Sequence, residues 1–208
     1  MMSSAQTTKN CITLKGSAQI IVDYLKYGIH SILFQRGVYP ADKFEATQQY
    51  GLTILMSKDP RITTFLQNVL SQTEEWLSKN MIRKVSMVIT NAHSKEVLEC
   101  WEFKMEAEKG DNQVADPSQR TSSKDLTRIQ NEIREVMRQI SASVSYLPLL
   151  DCICAFDLKI HTPGNTEIPA KWGESEAFVI PNAQSVQLRS FSTGLHKVET
   201  VVNYKLNN

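Results

Sequence analysis

Cys152 and Cys154 stand in the stretch CICAFDLKIH at a spacing that, on an extended strand, points both thiols the same way. With Cys11 and Cys100 they make up the four cysteines of the chain, and a thiol brought to a distant histidine by the fold would be a nucleophile for acyl transfer. The spacing fits neither a zinc knuckle nor a disulfide framework, so reduced and mostly buried thiols are expected. His30, His93, His161 and His196 fall in different segments with no carboxylate or cysteine at ligand spacing, which speaks against a metal centre. Glu74 with Glu75, and Glu106 with Glu108, have the look of solvated surface positions. The chain contains no phosphate loop, no GxSxG, no HExxH and no dinucleotide fingerprint, so no cofactor is expected. Catalysis is therefore the weaker reading, and an interaction module the stronger one.

Gross composition narrows the partners. The 208 residues carry 23 Lys+Arg against 22 Asp+Glu, a balance too even to gather phosphates, so nucleic acid is not an expected partner. The start, MMSSAQTTKN, lacks the apolar run of a secretory signal, and no stretch is long and apolar enough to span a bilayer. An intracellular protein with no membrane partner is expected, folded as a single domain over residues 1–208.

Several elements must position any site. Ile20, Ile21, Tyr24, Leu25, Ile29, Ile32 and Leu33 follow a helical face over 17–35, closed by Gly37 and Pro40. Asp59 and Pro60 make a helix start, after which Ile62, Phe65, Leu66, Val69, Leu70, Trp76 and Leu77 supply the apolar stripe. RKVSMVIT and EVLECWEFKM predict a hairpin about the loop NAHSK, with Val97, Trp101, Phe103 and Met105 on one face. The polar stretch 106–121 reads as a mobile connection. Ser122 and Asp125 form a capping-box pattern before a third helix buried through Leu126, Ile129, Ile133, Val136, Met137 and Ile140. In CICAFDLKIH, Cys152, Cys154, Phe156, Leu158 and Ile160 face one way, and Asp157, Lys159 and His161 the other.

The stretch 162–182 holds three prolines and two glycines, which excludes a central strand. Trp172, Phe178 and Ile180 argue that it docks. The chain then ends on SVQLRSFST and a terminal strand with Val198, Val202, Tyr204 and Leu206 on one face. Three helices and roughly five strands in antiparallel hairpins predict an α+β fold with helices packed on one sheet. Three features could carry interaction: the polar face of the third helix (Arg128, Glu132, Arg134, Glu135, Arg138, Gln139), the three tryptophans, and the terminal strands, where a foreign strand could add.

ITLKGSAQIIVDYLKYGIHSILFQRGVYP, QQYGLTIL, VMRQISASVSYLPLLD, CAFDLKIHT and RSFSTGLHKVETVVNYK closely resemble segments of the spindle-checkpoint HORMA-domain proteins, and they span residues 12 to 205. The resemblance implies a HORMA fold, three helices on a mainly antiparallel sheet, with a flexible N-terminal arm (1–12) and a mobile C-terminal safety belt (163–208). It implies a non-catalytic protein that switches between open and closed forms. In the open form the belt covers the edge of the strand formed by Cys152, Ile153, Cys154, Ala155, Phe156, Asp157, Leu158, Lys159 and Ile160. In the closed form it crosses to the hairpin side, and a partner's extended peptide takes the vacated edge. Trp172, Phe191, Val198, Val202, Tyr204 and Leu206 are the matching belt anchors. Much of a backbone ladder breaks on the way, so exchange over minutes to hours is expected.

The partners implied are the activator subunit of the anaphase-promoting complex, whose capture delays anaphase, and the kinetochore-bound coiled-coil protein mitotic arrest deficient one. Other subunits of the mitotic checkpoint complex, and a second copy of the chain in an open–closed dimer through Arg138, Gln139 and Tyr146, are implied as well. An AAA+ remodeller with its HORMA adaptor would act on the arm. Leu14 would help to hold the open state, and Thr200 sits where the family carries a hydroxyl that restrains closure. The location implied is nucleus and cytoplasm, kinetochores and spindle in mitosis, and nuclear envelope in interphase. Within the same fold the rival reading is a HORMA adaptor for a DNA polymerase or the meiotic chromosome axis. Outside it, the rival is a cysteine-dependent hydrolase.

Overall fold

The computed structural model describes residues 11–111, 114, 116–164, 168–170 and 172–206. It opens with a short strand β1 (Ile12–Thr13) that runs straight into helix α1 (Leu14–Gln35). Thr13 caps the helix by accepting the amide of Gly16 at 3.1 Å, so α1 starts three residues before the predicted Ser17. Ile21, Tyr24, Leu25, Ile29, Ile32 and Leu33 are fully buried along it.

Next comes a hairpin that the sequence reading lacks, β2 (Phe44–Gln49) with β3 (Leu52–Ser57). Its two-residue turn places Tyr50 at φ 54° and Gly51 at φ 69°, the left-handed pair that matches the twist of a tight hairpin. Helix α2 (Pro60–Ser78) begins as expected, with the Asp59 carboxylate accepting the amide of Arg61. Its stripe is buried except at Phe65, which is 36% exposed.

Strands β4 (Lys84–Asn91) and β5 (Val97–Ala107) form the predicted hairpin, and Trp101, Phe103 and Met105 face the core together. The stretch expected to be a mobile connection is partly structured. Its first two residues finish β5, and Thr121 opens β6 (Thr121–Ser122), which pairs with β1. The arm is therefore tied down at Ile12, while residues 1–10 of it lie outside the described residues.

Helix α3 (Leu126–Ala142) is capped by Asp125 itself, whose carboxylate accepts the amide of Arg128. The expected box starting at Ser122 is displaced because Ser122 is committed to β6. The chain ends with β7 (Cys154–His161), β8 (Ala183–Ser192) and β9 (His196–Lys205). Nine strands are thus described where about five were expected; two are two-residue pieces and two form the unanticipated hairpin.

The main sheet has the order β7-β4-β5-β9-β8 and is antiparallel throughout. Tyr24 of α1 meets Phe103 of β5 and Phe191 of β8 edge to face, at 5.9 and 4.9 Å. Phe65 of α2 lies over Phe156 of β7, and α3 lies along β8, so the helices cover one face of the sheet.

Two histidines are sealed into this core. His30 accepts the amide of Ser57, and His196 bonds Ser17 and Asn80, at 2.7 and 3.0 Å. Burial pushes both from the ordinary 6.5 down to about 4, with the charge of Lys26 adding to the effect at His30. Between these pH values the unfolded chain binds protons that the folded chain refuses, so stability falls as the pH falls. Each ring should cost about 1.4 kcal/mol per pH unit across that window. Urea midpoints should drop steeply from pH 6.5 to 4.5, and His196→Gln should flatten the slope.

Candidate functional site

Strand β7 pairs with β4 along one edge, and its other edge has no strand partner among the described residues. The carbonyl of His161 points inward to the amide of Arg83, and the carbonyl of Ile153 to the amide of Ala92. Strand alternation then turns the backbone groups of Cys154, Phe156, Leu158 and Ile160 outward. One of these amides is covered for now: the Asp157 carboxylate accepts the amide of Leu158 at 2.8 Å. An incoming carbonyl would have to displace it. Cys154, Phe156, Leu158 and Ile160 also turn their side chains to the core, and Phe156 meets Tyr39 and Phe65 at 6.2 and 5.8 Å. Ala155, Asp157 and Lys159 lie on the opposite face, and Ile153 is exposed just before the strand.

Over that opposite face runs the segment between β7 and β8. It roofs a cleft of about 800 Å³ floored by Lys84, Cys100, Glu102 and Asn203. Lys159 anchors the roof by donating to the carbonyl of Glu176 at 2.9 Å and placing its ammonium 5.1 Å from the Phe178 ring. Trp172 packs against Trp76 at a tilt of 55° with the ring centroids 5.5 Å apart, which docks the segment on α2.

The terminal strand lies on β5, with β4 and β5 between it and β7. Phe191, Val198 and Val202 are buried, Tyr204 is half-buried, and Leu206 is 44% exposed, so the last expected anchor is a weak one. Thr200 is sealed, its hydroxyl 2.7 Å from that of Tyr24. At the β8–β9 turn a small polar knot joins Ser17, Thr193, His196 and Asn80.

The polar face of α3 turns out to hold the chain's own elements. Gln139 accepts the amide of Arg189, Glu135 pairs with the Arg189 guanidinium, and Glu132 accepts the amide of Ser192. Lys124 bridges Glu132 and the carbonyl of Ser192. Arg134 donates to the carbonyl of Tyr50 at the hairpin turn. Among the described residues Arg138 pairs with neighbouring Glu135 alone, and it stays largely exposed, as does Tyr146. Leu14 is buried at the start of α1.

Thiol chemistry fares poorly. Cys152 and Cys154 do bring their sulfurs to 3.8 Å, as the spacing suggests. Burial and the neighbouring Cys152 thiol push Cys154 up to about 12, and burial and Glu102 push Cys100 up to about 11. A nucleophile needs the opposite shift. Against expectation, Cys11 is exposed and Cys152 and Cys154 only half-buried. The four histidines lie apart, and no group of three or more His, Cys, Asp or Glu able to hold a metal occurs among the described residues.

The HORMA domain family matches residues 17–196. Mitotic spindle assembly checkpoint protein MAD2A of Mus musculus is 46% identical over 194 residues, covering 93% of each chain. The chain belongs to the HORMA family, in its MAD2 spindle-checkpoint branch. A chain in the crystal structure of the mitotic checkpoint complex superposes with a TM-score of 0.83 at 35% identity, over 92% of this chain and 99% of that one. The HORMA fold itself reaches further, to C. elegans HTP-2 bound to HTP-3 closure motif 1, with a TM-score of 0.75 at 15% identity, over 93% of this chain and 88% of that one. The structure thus has the HORMA architecture expected from the sequence, and its function lies in the spindle assembly checkpoint.

One feature of this HORMA chain had no sequence signal. Arg36, at the end of α1, forks onto Glu99 of β5 with both side chains almost wholly buried. Its guanidinium also donates to the carbonyl of Pro148, and Glu99 accepts the indole N–H of Trp101. This ties the loop ahead of β7 to the strand that carries β9.

Proposed function

We propose that the chain clasps an extended peptide of a checkpoint partner, which adds as a strand along the free edge of β7 beneath the 162–182 segment. The single observation behind this reading is that the outer edge of β7 has no strand partner among the described residues while the terminal strand occupies β5. In that arrangement the C-terminal segment 163–208 acts as a belt in its closed position. In the open position it would cover β7 instead, so one ladder is exchanged for another and the two forms stay close in energy. A peptide would gain main-chain bonds from the edge and specificity from its alternate side chains.

By resemblance, the peptides belong to the activator subunit of the anaphase-promoting complex and to mitotic arrest deficient one at kinetochores. Capture of the activator, with the other checkpoint-complex subunits, delays anaphase without catalysis. A second copy docks through Arg138, Gln139 and Tyr146, and exposed Arg138 supports this with its planar donor fork. The AAA+ remodeller with its adaptor restores the open form through the arm. The expected sites are nucleus, cytoplasm, kinetochores and nuclear envelope.

The test is ion-exchange and size-exclusion chromatography of wild type and Arg138→Ala, with and without a synthetic activator peptide. Two slowly exchanging species should appear, the peptide should collect them into one, and Arg138→Ala should bind while staying monomeric. The same peptide N-methylated at alternate backbone nitrogens should lose binding. A single species blind to the peptide would overturn the clasp and favour a polymerase or meiotic adaptor.

A further inference from the structure

On the far side of the helices from the peptide edge, α1, α2 and the β2–β3 hairpin enclose a groove of about 560 Å³. Its floor is apolar, built from Val22, Tyr27, Met56, Leu66 and Leu70. His30 also lines it. Because Nδ1 of His30 accepts the amide of Ser57, the neutral ring carries its hydrogen on Nε2. The residue is only 2% exposed, and Nε2 has no hydrogen-bond partner among the described residues. It is not entombed either, since the enclosed side-chain polar atom without a partner among the described residues is Ser143 Oγ. An N–H donor is thus presented at the wall of an apolar groove, where an acceptor on an incoming segment can reach it.

The rim carries charge of a defined sign. Glu45 and Glu74 stand on it with Lys26, and Asp23 is close enough to sense both Lys26 and Glu74. Two lining carboxylates against one ammonium, with Asp23 nearby, leave the mouth acidic. A free carboxylate ligand would meet this field as repulsion. A basic segment with an apolar anchor meets it as attraction, and a backbone carbonyl beside the anchor can accept a hydrogen bond from His30 Nε2–H.

We infer that this groove is a second docking site, independent of the β7 edge, for a linear basic segment of a partner protein that inserts one or two apolar side chains over His30. The site deepens the checkpoint reading only in its choice of partners, so its test uses them. The groove is lined by α1, α2 and the hairpin, with no residue of β7 or of the 163–208 segment in its lining. A bound partner peptide and this segment could therefore engage the same molecule at once, which would raise the affinity of a partner carrying both.

The probe is a set of short overlapping peptides tiling the checkpoint-complex partners, read by fluorescence polarisation against wild type, Glu45→Lys/Glu74→Lys and His30→Phe. These rim residues are exposed or half-exposed, so the double variant should fold, as its thermal midpoint would verify. One tile with an apolar anchor flanked by Lys or Arg should bind wild type, lose about tenfold or more on charge reversal, and weaken on His30→Phe. The edge-binding activator peptide should bind all three proteins alike. The inference fails if the activator peptide is the sole binder, if the additional binder is acidic or indifferent to charge reversal, or if the groove proves to be occupied by a second copy of the chain. Failure of the activator peptide itself would instead count against the clasp.

Discussion

Glu99→Ala should lower the unfolding free energy by about 3–5 kcal/mol, among the largest effects available to one substitution in this chain. The reason is what it leaves behind. Arg36 is held by Glu99 through both Nε and Nη2 with side-chain exposures of 3% and 2%, so removal of the carboxylate strands a guanidinium inside the protein. The Trp101 indole N–H loses its acceptor in the same step. A chain stabilised by about 5–15 kcal/mol can lose a large part of that margin to such a change. Arg36→Met/Glu99→Leu should recover most of the loss, because it removes both charges and fills the space. Urea denaturation of wild type and the two variants tests this, and equal midpoints for wild type and Glu99→Ala would sink it. The double variant has a second use. Arg36 also bonds the Pro148 carbonyl, so the loop before β7 should loosen in it even where global stability returns.

That ion pair marks the limit of what sequence could say. Arg36 and Glu99 lie in different elements, and neither has a patterned neighbour that announces its partner; only the crossing of α1 over β5 brings them together. The three helices were legible because each buries one stripe at helical spacing, β5, β7 and β9 because each alternates, and β4 because its apolar run leads into the loop of a hairpin. The hairpin β2–β3 was missed for a physical reason. In FEATQQ only Phe44 is buried, so the strand has almost no apolar period, and its turn is Tyr-Gly instead of the familiar Asn-Gly. Strand β8 was blurred by a bulge between Gln187 and Ser190, which breaks its alternation. The site residues Cys154, Phe156, Leu158 and Ile160 could be placed on one face from the pattern alone. Which edge the terminal strand pairs with could not, since Val198, Val202 and Tyr204 offer the same two-sided strip to β5 or to β7. The choice between edges is a tertiary one, made here by Phe191, the Thr193–His196 knot and the grip of α3 on Arg189 and Ser192.

Thr200→Asp should cut the capture of an edge-binding peptide by about a hundredfold or more. In β9 the inward row runs through His196, Val198, Thr200 and Val202, and Thr200 lies opposite Phe103 with 1% of its surface exposed. Its hydroxyl meets that of Tyr24, whose ring is itself packed against Phe103 and Phe191. An aspartate there would receive one hydrogen bond from the Tyr24 phenol and otherwise face aromatic edges. Burying a carboxylate so poorly compensated costs about 3 kcal/mol or more. The cost falls on the form with β9 docked on β5, and a form in which β9 leaves that position escapes it. A bias of this size moves the equilibrium by about two orders of magnitude, and apparent peptide affinity falls with the population of the competent form. Thr200→Val separates packing from charge: it keeps the shape, deletes one hydrogen bond, and should cost only about 1 kcal/mol. Titration of the three proteins with the activator peptide, alongside ion-exchange profiles, reads both effects. If Thr200→Asp captured the peptide as well as wild type, the docking of β9 on β5 would not be the peptide-holding arrangement. The same geometry bears on control of the hydroxyl. While β9 is docked, no modifying enzyme can reach Thr200; under the proposed clasp a charge could be added only to molecules whose terminal strand has left β5, and it would then hold them there.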